Sequence, residues 1–145
     1  IYANIAKMIE ETTEVLYIVT TLDDVSRMYH STIPEKITVC EKNGGSVRLL
    51  VDMNDAKLTP FVKRFNATET KIGKLPSKGR LIVQKDKKMI MSDSASSFQH
   101  SSADSDFSLC TNSTEMVDNI FTLCKFLWET SNPLKTIDVK NFVRN

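Results

Sequence analysis

The residues best able to do chemistry lie between Pro76 and Ser96, a stretch that contains Lys78, Arg80, Asp86 and Ser94. Arg80 offers a planar fork of N–H donors that suits a phosphate or a carboxylate, and Lys78 adds a second positive charge close by. Lysine is protonated at neutral pH unless it is strongly desolvated, so Lys78 is a poor nucleophile. The two cations are able to bind an anion but not to act as a covalent catalyst, and the structural interpretation, two solvated basic residues at a strand end, is the one that such a pattern favours.

A second candidate ligand site lies in the run from Ser46 to Asp52. Arg48 sits inside this apolar run, so its charge needs a partner or a route to solvent, and Asp52 is one candidate partner. Open α/β sheets bind ligands beyond the C-terminal ends of their strands, which adds Thr20, Thr21 and Asn54 to the candidates. For Arg48 itself, a purely structural ion pair is the favoured interpretation and a role in a ligand site is the alternative.

Length and charge restrict the class of protein. The chain has 145 residues, which fits a single domain over 1–145 with a core of its own. Its 19 basic and 18 acidic residues give a net charge of +1, which demands neither nucleic acid nor an anionic membrane as a direct partner. No apolar run approaches the ~18 residues of a membrane span, and no signal peptide is visible.

The cysteines predict a reducing compartment. Cys40, Cys110 and Cys124 are an odd number without a C-x-x-C pair, which is typical of reduced thiols in a cytoplasmic protein. Neither His30 nor His100 stands at a metal-ligand spacing from a cysteine, so we expect no metal site and no cofactor.

Apolar periodicity predicts an α/β domain with a mixed sheet flanked by helices on both faces. Val15 to Thr20 and Ser46 to Asp52 read as buried strands with helices between them, so they should be parallel. Gly79 to Gln84 and Lys88 to Met91 read as an antiparallel pair around a charged turn. Thr68 to Lys74 reads as a weaker strand at an edge of the sheet.

The C-terminal part of the chain should contribute one long helix. Its inward face repeats from Val117 to Trp128, and Asn132-Pro133 should end it. The Ser-rich stretch from Asp93 to Asp106 reads as a loop, and a last short helix is expected around Val139.

This order of elements resembles one half of the phospholipase D fold. In particular it is similar to the phospholipase D-like domain that follows a winged helix-turn-helix in TrmB-type archaeal transcriptional regulators. The stretches that carry the likeness are AKMIEETTEVLYIVTTLDDV, GGSVRLLVD and PSKGRLIVQKDKKMIMSDS. The phospholipase D-like half-fold is therefore the fold that the resemblance implies.

The resemblance also implies that the catalyst is missing. Against the H-x-K-x4-D…S signature of the enzymes, Lys78 stands at the position of the nucleophilic His and Arg80 at that of the Lys. Asp86 matches the Asp after one extra residue, Ser94 matches the Ser, and Ser96 stands where Asn is usual. A chain without the His should lack phosphodiesterase activity by this route.

The function that follows is a non-enzymatic, effector-sensing and dimerising domain of a transcriptional regulator. A small-molecule or anionic effector would change the homodimer, and DNA would be bound through an upstream domain, which the absence of a starting Met leads us to expect. A diverged phosphodiesterase or nuclease is the alternative. A signal-receiver module with Asp23, Asp24 and Asp52 in its acidic pocket is a third interpretation, which the antiparallel strand pair disfavours.

Overall fold

The computed structural model describes residues 2–52, 59–75, 77–93 and 108–134. Its helices are α1 (Tyr2–Glu10), α2 (Leu22–Tyr29), α3 (Ile33–Lys42), α4 (Thr59–Phe65) and α5 (Thr114–Glu129). Its strands are β1 (Val15–Thr21), β2 (Ser46–Asp52), β3 (Glu69–Ile72), β4 (Arg80–Gln84), β5 (Lys88–Ser92), β6 (Ser108–Thr111) and β7 (Asn132–Pro133). In those ranges no helix is long and apolar enough to cross a membrane.

The strands form one mixed sheet in the order β6-β5-β4-β1-β2-β3-β7. β1, β2 and β3 are parallel neighbours. For β1 and β2, in which Val15 lies opposite Ser46, the strand–helix–strand pattern predicted this pairing. On the other side of β1, strands β4, β5 and β6 run antiparallel to their neighbours. The sheet therefore has a parallel half and an antiparallel half that meet at β1.

Helices cover both faces of the sheet, which confirms the predicted architecture. One face carries α1 to α4 and holds the larger core, where Ile9, Ile18 and Phe65 are fully buried. The opposite face carries α5, whose Val117, Cys124 and Trp128 pack on Tyr17 and Leu50. β1 lies at the centre and contributes alternate side chains to both cores, so it reads as a continuous apolar run.

The passage from α3 into β2 depends on two adjacent glycines. Gly44 has φ of +88°, a conformation that glycine adopts without a steric penalty, and it ends the helix. At Gly45 a β-carbon would lie 2.5 Å from the Thr12 carbonyl oxygen and 2.7 Å from Cys40 Sγ. The chain therefore passes against the end of α1 more closely than any side chain would allow.

The predicted position of the weak strand is wrong. β3 is not at the edge of the sheet, because Lys71 and Ile72 pair with Pro133 and Asn132 in β7. Asn132-Pro133 follows the end of α5 as predicted, but it also returns to the sheet and covers this edge. Pro is tolerated there because an edge strand needs no N–H on its outer side.

The predicted loop from Asp93 to Asp106 and the predicted helix around Val139 fall almost wholly outside the described residues.

Candidate functional site

The side chain of Arg80, the strongest anion-binding candidate, is buried. Arg80 is the first residue of β4 and pairs with Ser92 at the end of β5. It shares a sheet face with Ile82, so its guanidinium points into the layer beneath α1 and α2 rather than to solvent. Only 3% of the side chain is exposed, so this charge must be matched inside the fold.

Asp24, in the first turn of α2, supplies the negative charge that pairs with Arg80. Thr21 is the N-cap of this helix, and its hydroxyl accepts a hydrogen bond from Asp24 N at 3.3 Å. The Asp24 side chain is fully buried, and its Oδ2 accepts a hydrogen bond from Thr20 Oγ1 at 2.8 Å. The carboxylate therefore lies where the C-terminal end of β1 turns into α2, the edge of the sheet at which α/β folds bind ligands.

The two charges meet in a fork-to-fork ion pair. Arg80 Nε donates to Asp24 Oδ2 at 2.7 Å, and Arg80 Nη2 donates to Asp24 Oδ1. Tyr2 completes the arrangement from α1, because its hydroxyl donates to Asp24 Oδ1 at 3.0 Å and accepts from Arg80 Nη2 at 3.3 Å. Its ring centroid also lies 5.0 Å from the guanidinium carbon. Ser92 Oγ accepts from Arg80 Nη1 at 3.3 Å.

These five residues, Tyr2, Thr20, Asp24, Arg80 and Ser92, are called the Arg80 cluster below. A guanidinium has five N–H donors, and four of them are used inside the cluster. Both carboxylate oxygens of Asp24 also accept two hydrogen bonds each. The N–H donors with which Arg80 could bind an external phosphate or carboxylate are therefore used to bind the internal carboxylate of Asp24.

The cluster shifts the pKa of two of its members. The pKa of Tyr2 is raised to about 12, mainly by burial. The negative charge of Asp24 also raises this pKa, and its effect is larger than the lowering by the positive charge of Arg80. Burial alone would lower the pKa of Arg80, but the hydrogen bonds and the charge of Asp24 outweigh it and hold the pKa above its usual value. Both groups thus keep the protonated form, and neither acts as a base.

The other residues of the predicted motif do not join the cluster. Lys78 is exposed and precedes β4, whereas Asp86 is exposed in the turn at the far end of that strand with φ of 60°. Four residues of strand separate Arg80 from that turn, a distance of roughly 13 Å. Ser94, Ser96 and Asn54 lie outside the described residues.

Arg48 does not pair with Asp52, so the partner suggested by the sequence is wrong. The two residues are four apart on one strand, which separates them by roughly 13 Å. Arg48 Nη1 donates to the Tyr17 hydroxyl at 2.9 Å, and its Nε lies 3.6 Å from Glu69 Oε1, an ion pair too long for a hydrogen bond. Asp52 Oδ2 instead accepts from Leu75 N at 3.4 Å.

The surroundings of Arg48 hold α5 on the sheet. Its guanidinium carbon lies 5.7 Å from the ring centroids of both Tyr17 and Trp128. Lys71 Nζ lies 4.8 Å from the Trp128 ring and donates to the Trp128 carbonyl at 3.0 Å, near the C-terminal end of α5. The contacts of Arg48 in the described residues are therefore structural ones between the sheet and α5.

Sequence reasoning missed the central role of Asp24, and it missed Tyr2 and Ser92 altogether. An acid in the first turn of a helix is ordinary on electrostatic grounds, so its type and position gave no sign of burial. The usable signal was Arg80 at the start of an apolar strand, which requires a buried partner. In the described ranges no group of three His, Cys, Asp or Glu side chains could hold a metal ion.

Comparison by sequence gives no family: no family model matches the chain, and no curated protein matches it. Comparison of structures does give relatives. The fold is similar to TrmBL2, an archaeal chromatin protein, with a TM-score of 0.64 and 11% identity over 91% of this chain and 49% of that one. The chain thus spans about half the length of the TrmBL2 chain.

Two further structures match over nearly their full length. Nuc, a phospholipase D family member from Salmonella typhimurium, has a TM-score of 0.62 and 9% identity over 90% of this chain and 88% of its own. NucT from Helicobacter pylori has a TM-score of 0.66 and 15% identity over 91% of this chain and 89% of its own. At these identities the likeness establishes the fold alone, and the fold of this chain is the α/β fold of the phospholipase D-like proteins.

Proposed function

We propose that this chain is a non-enzymatic regulatory and dimerisation domain of a TrmB-like transcriptional regulator in the cytoplasm. The observation that carries the proposal is the pairing of Arg80 with Asp24. Phosphodiester cleavage in the phospholipase D manner needs a free cation beside a nucleophile at the end of this strand. Here the cation is 3% exposed and bound to a carboxylate, and an exposed lysine, Lys78, stands at the position of the nucleophile.

Support for dimerisation comes from the surface of α5. Met116, Ile120, Leu123 and Leu127 follow one another at intervals of four, three and four residues, the spacing of a helix–helix packing seam. Met116 and Leu123 are 44% and 56% exposed, and the neighbouring Phe126 is 59% exposed. Ile120 and Leu127 already pack partly on the core beneath α5, and a second copy of the chain, packed α5 against α5, would remove Met116, Leu123 and Phe126 from water.

DNA binding would belong to another domain of the full protein. The net charge of +1 offers little attraction for phosphates, and TrmBL2, whose described activity includes DNA binding, is about twice the length of this chain. The role left for this chain would be to set the distance between two DNA-binding domains, with an effector shifting the dimer between arrangements.

Analytical ultracentrifugation tests the dimer. We expect the chain to sediment as a dimer, and Leu123→Asp with Phe126→Asp to sediment as a folded monomer with unchanged circular dichroism. Lys125→Asp, an equally exposed change on the same helix, should remain dimeric. A wild-type chain that sediments as a monomer, or a wild-type chain that hydrolyses a phosphodiester, would contradict the proposal.

A further inference from the structure

A cavity lies at the end of the sheet away from the Arg80 cluster. It has a volume of about 390 Å³ and opens between α1 and the outer strands β5 and β6. Lys88, one of its lining residues, pairs with Gln84, whereas Ser92 of the Arg80 cluster pairs with Arg80. The cavity is therefore about one strand length from the buried pair, and its volume falls in the range of small-molecule sites.

Two cations face this cavity without a matching acid. Lys7 comes from α1 and Lys88 from β5, and among the residues that line the cavity there is no Asp or Glu. Within the described part of the chain neither side-chain ammonium group makes an ion pair or a hydrogen bond. Arg80 has Asp24 as its partner, whereas the positive charges of Lys7 and Lys88 are available to bind a ligand.

The remaining lining suits an organic anion better than a bare ion. Met8 and Ile90 are 1% and 3% exposed and form an apolar floor. Asn4, Thr111 and Asn112 add neutral groups that can donate or accept hydrogen bonds at the rim. Apolar floors with a few convergent polar groups are typical of ligand sites.

We propose that this cavity binds a small organic anion, with its phosphate or carboxylate group between Lys7 and Lys88 and its apolar body on Met8 and Ile90. The two ammonium groups favour a dianion over a monoanion, because each adds its own attraction. The assignment deepens the proposed function by naming the class of effector and the place where it binds. α1 lines the cavity through Lys7 and supplies Tyr2 to the Arg80 cluster, so a ligand here contacts an element shared by both.

Cys110 gives a direct readout, because it lines the cavity and is exposed, whereas Cys40 and Cys124 are buried. The experiment measures the rate at which iodoacetamide alkylates Cys110, followed by mass spectrometry, with phenyl phosphate as the probe. Phenyl phosphate at ten times its dissociation constant should slow the reaction roughly tenfold by mass action. Benzoate should protect more weakly, and neutral benzyl alcohol least.

Matched variants locate the binding. Lys7→Gln and Lys88→Gln should each weaken phenyl phosphate binding roughly fivefold or more, since each removes a charge-assisted hydrogen bond. Lys125→Gln, which removes the same charge from α5 on the opposite face of the sheet, should bind as the wild type does. Circular dichroism and thermal unfolding confirm that each variant is folded.

Two results would overturn the assignment: no protection of Cys110 at 50 mM phenyl phosphate, or equal protection in Lys7→Gln, Lys88→Gln and Lys125→Gln. The dimer is scored separately by ultracentrifugation. A monomeric chain whose Cys110 is still protected would remove the proposed function and leave the anion site standing. A dimeric chain whose Cys110 is not protected would overturn the anion site and leave the proposed function standing.

Discussion

Arg80 at the start of β4 and Asp24 in the first turn of α2 form a buried ion pair joined by two hydrogen bonds. The donors of Arg80 could bind a phosphate, but in this chain they bind the carboxylate of Asp24. A buried arginine is costly unless each of its donors is used, and here Asp24, Tyr2 and Ser92 use four of the five. The stability of the fold should therefore depend on both members of this pair.

Removing either charge should destabilise the fold strongly. Asp24→Ala and Arg80→Ala should each lower the free energy of unfolding by about 3–5 kcal/mol, because each leaves the other charge buried and unpaired. Urea unfolding followed by the fluorescence of Trp128, the single tryptophan, measures this.

The exposed ion pair between Lys85 and Glu14, at 3.4 Å, provides the control. Lys85→Ala should change the free energy of unfolding by less than about 1 kcal/mol. The double variant Asp24→Leu with Arg80→Met should recover most of the stability lost by the single variants, since it buries no unpaired charge. An Asp24→Ala variant as stable as Lys85→Ala would contradict the burial of the pair.

Tyr2 should make the fold sensitive to alkaline pH. Its pKa is raised from 10.0 to about 12 in the folded chain, so the neutral hydroxyl is the favoured form. The stabilisation is complete below pH 10 and is lost as the pH rises through about 12. Tyrosinate absorbance of the folded chain should show an ionisation step near pH 12 that belongs to Tyr2.

Two single variants assign that late step. Tyr2→Phe should abolish it and flatten the dependence of the unfolding free energy on pH between 10 and 12. Tyr29→Phe, which lies outside the Arg80 cluster, should leave the late step in place. A late step that persists in Tyr2→Phe would show that another tyrosine is responsible.

Placing a histidine at position 78 should not create phosphodiesterase activity. Lys78→His places an imidazole at the position of the nucleophile, but Arg80 stays bound to Asp24 and cannot stabilise a phosphate in the transition state. We expect no hydrolysis of bis(p-nitrophenyl) phosphate above that of Lys78→Gln. Turnover by Lys78→His above that of Lys78→Gln would show instead that Arg80 leaves Asp24 readily.

Gly45→Ala should be destabilising by about 1–3 kcal/mol, because the added methyl group meets a backbone oxygen that cannot rotate away. Thr12 carries that oxygen, and its hydroxyl is held by Met8 O at 2.7 Å, so the end of α1 has little freedom to yield. Thermal unfolding measures the loss. Ser46→Ala, the neighbouring change, should leave the midpoint nearly unchanged; equal midpoints for both variants would mean that α1 yields.

The fold could be predicted from the sequence largely because its central strands are unambiguous. Val15 to Thr20 is apolar on both faces, and only a strand covered by helices on both sides accounts for that. β7 could not be predicted, because Asn132 and Pro133 have no strand pattern and pair only where the end of α5 happens to meet β3. Whether these two residues form a strand depends on their tertiary contact with β3 and not on their own sequence.

The candidate site was harder to predict than the fold. Lys78, Arg80 and Asp86 approximate the motif spacing in sequence, with one extra residue before Asp86, yet the first is exposed, the second buried and the third beyond the other end of a strand. Asp24, which decides the state of Arg80, lies 56 residues away and carries no pattern of its own. A partnership across that distance depends on packing that linear spacing does not encode.

The meeting of the two halves of the sheet at β1 has a consequence for the order of folding. α1 to β3 is a continuous segment whose strands pair with near neighbours, whereas β4 must return across the whole segment to reach β1. Closing so long a loop is entropically slow, so the hairpin of β4 and β5 should dock after the parallel half has formed. Until that hairpin docks, Asp24 lacks the partner that balances its charge in the native fold, so the buried ion pair should form late in folding, when Arg80 reaches α2.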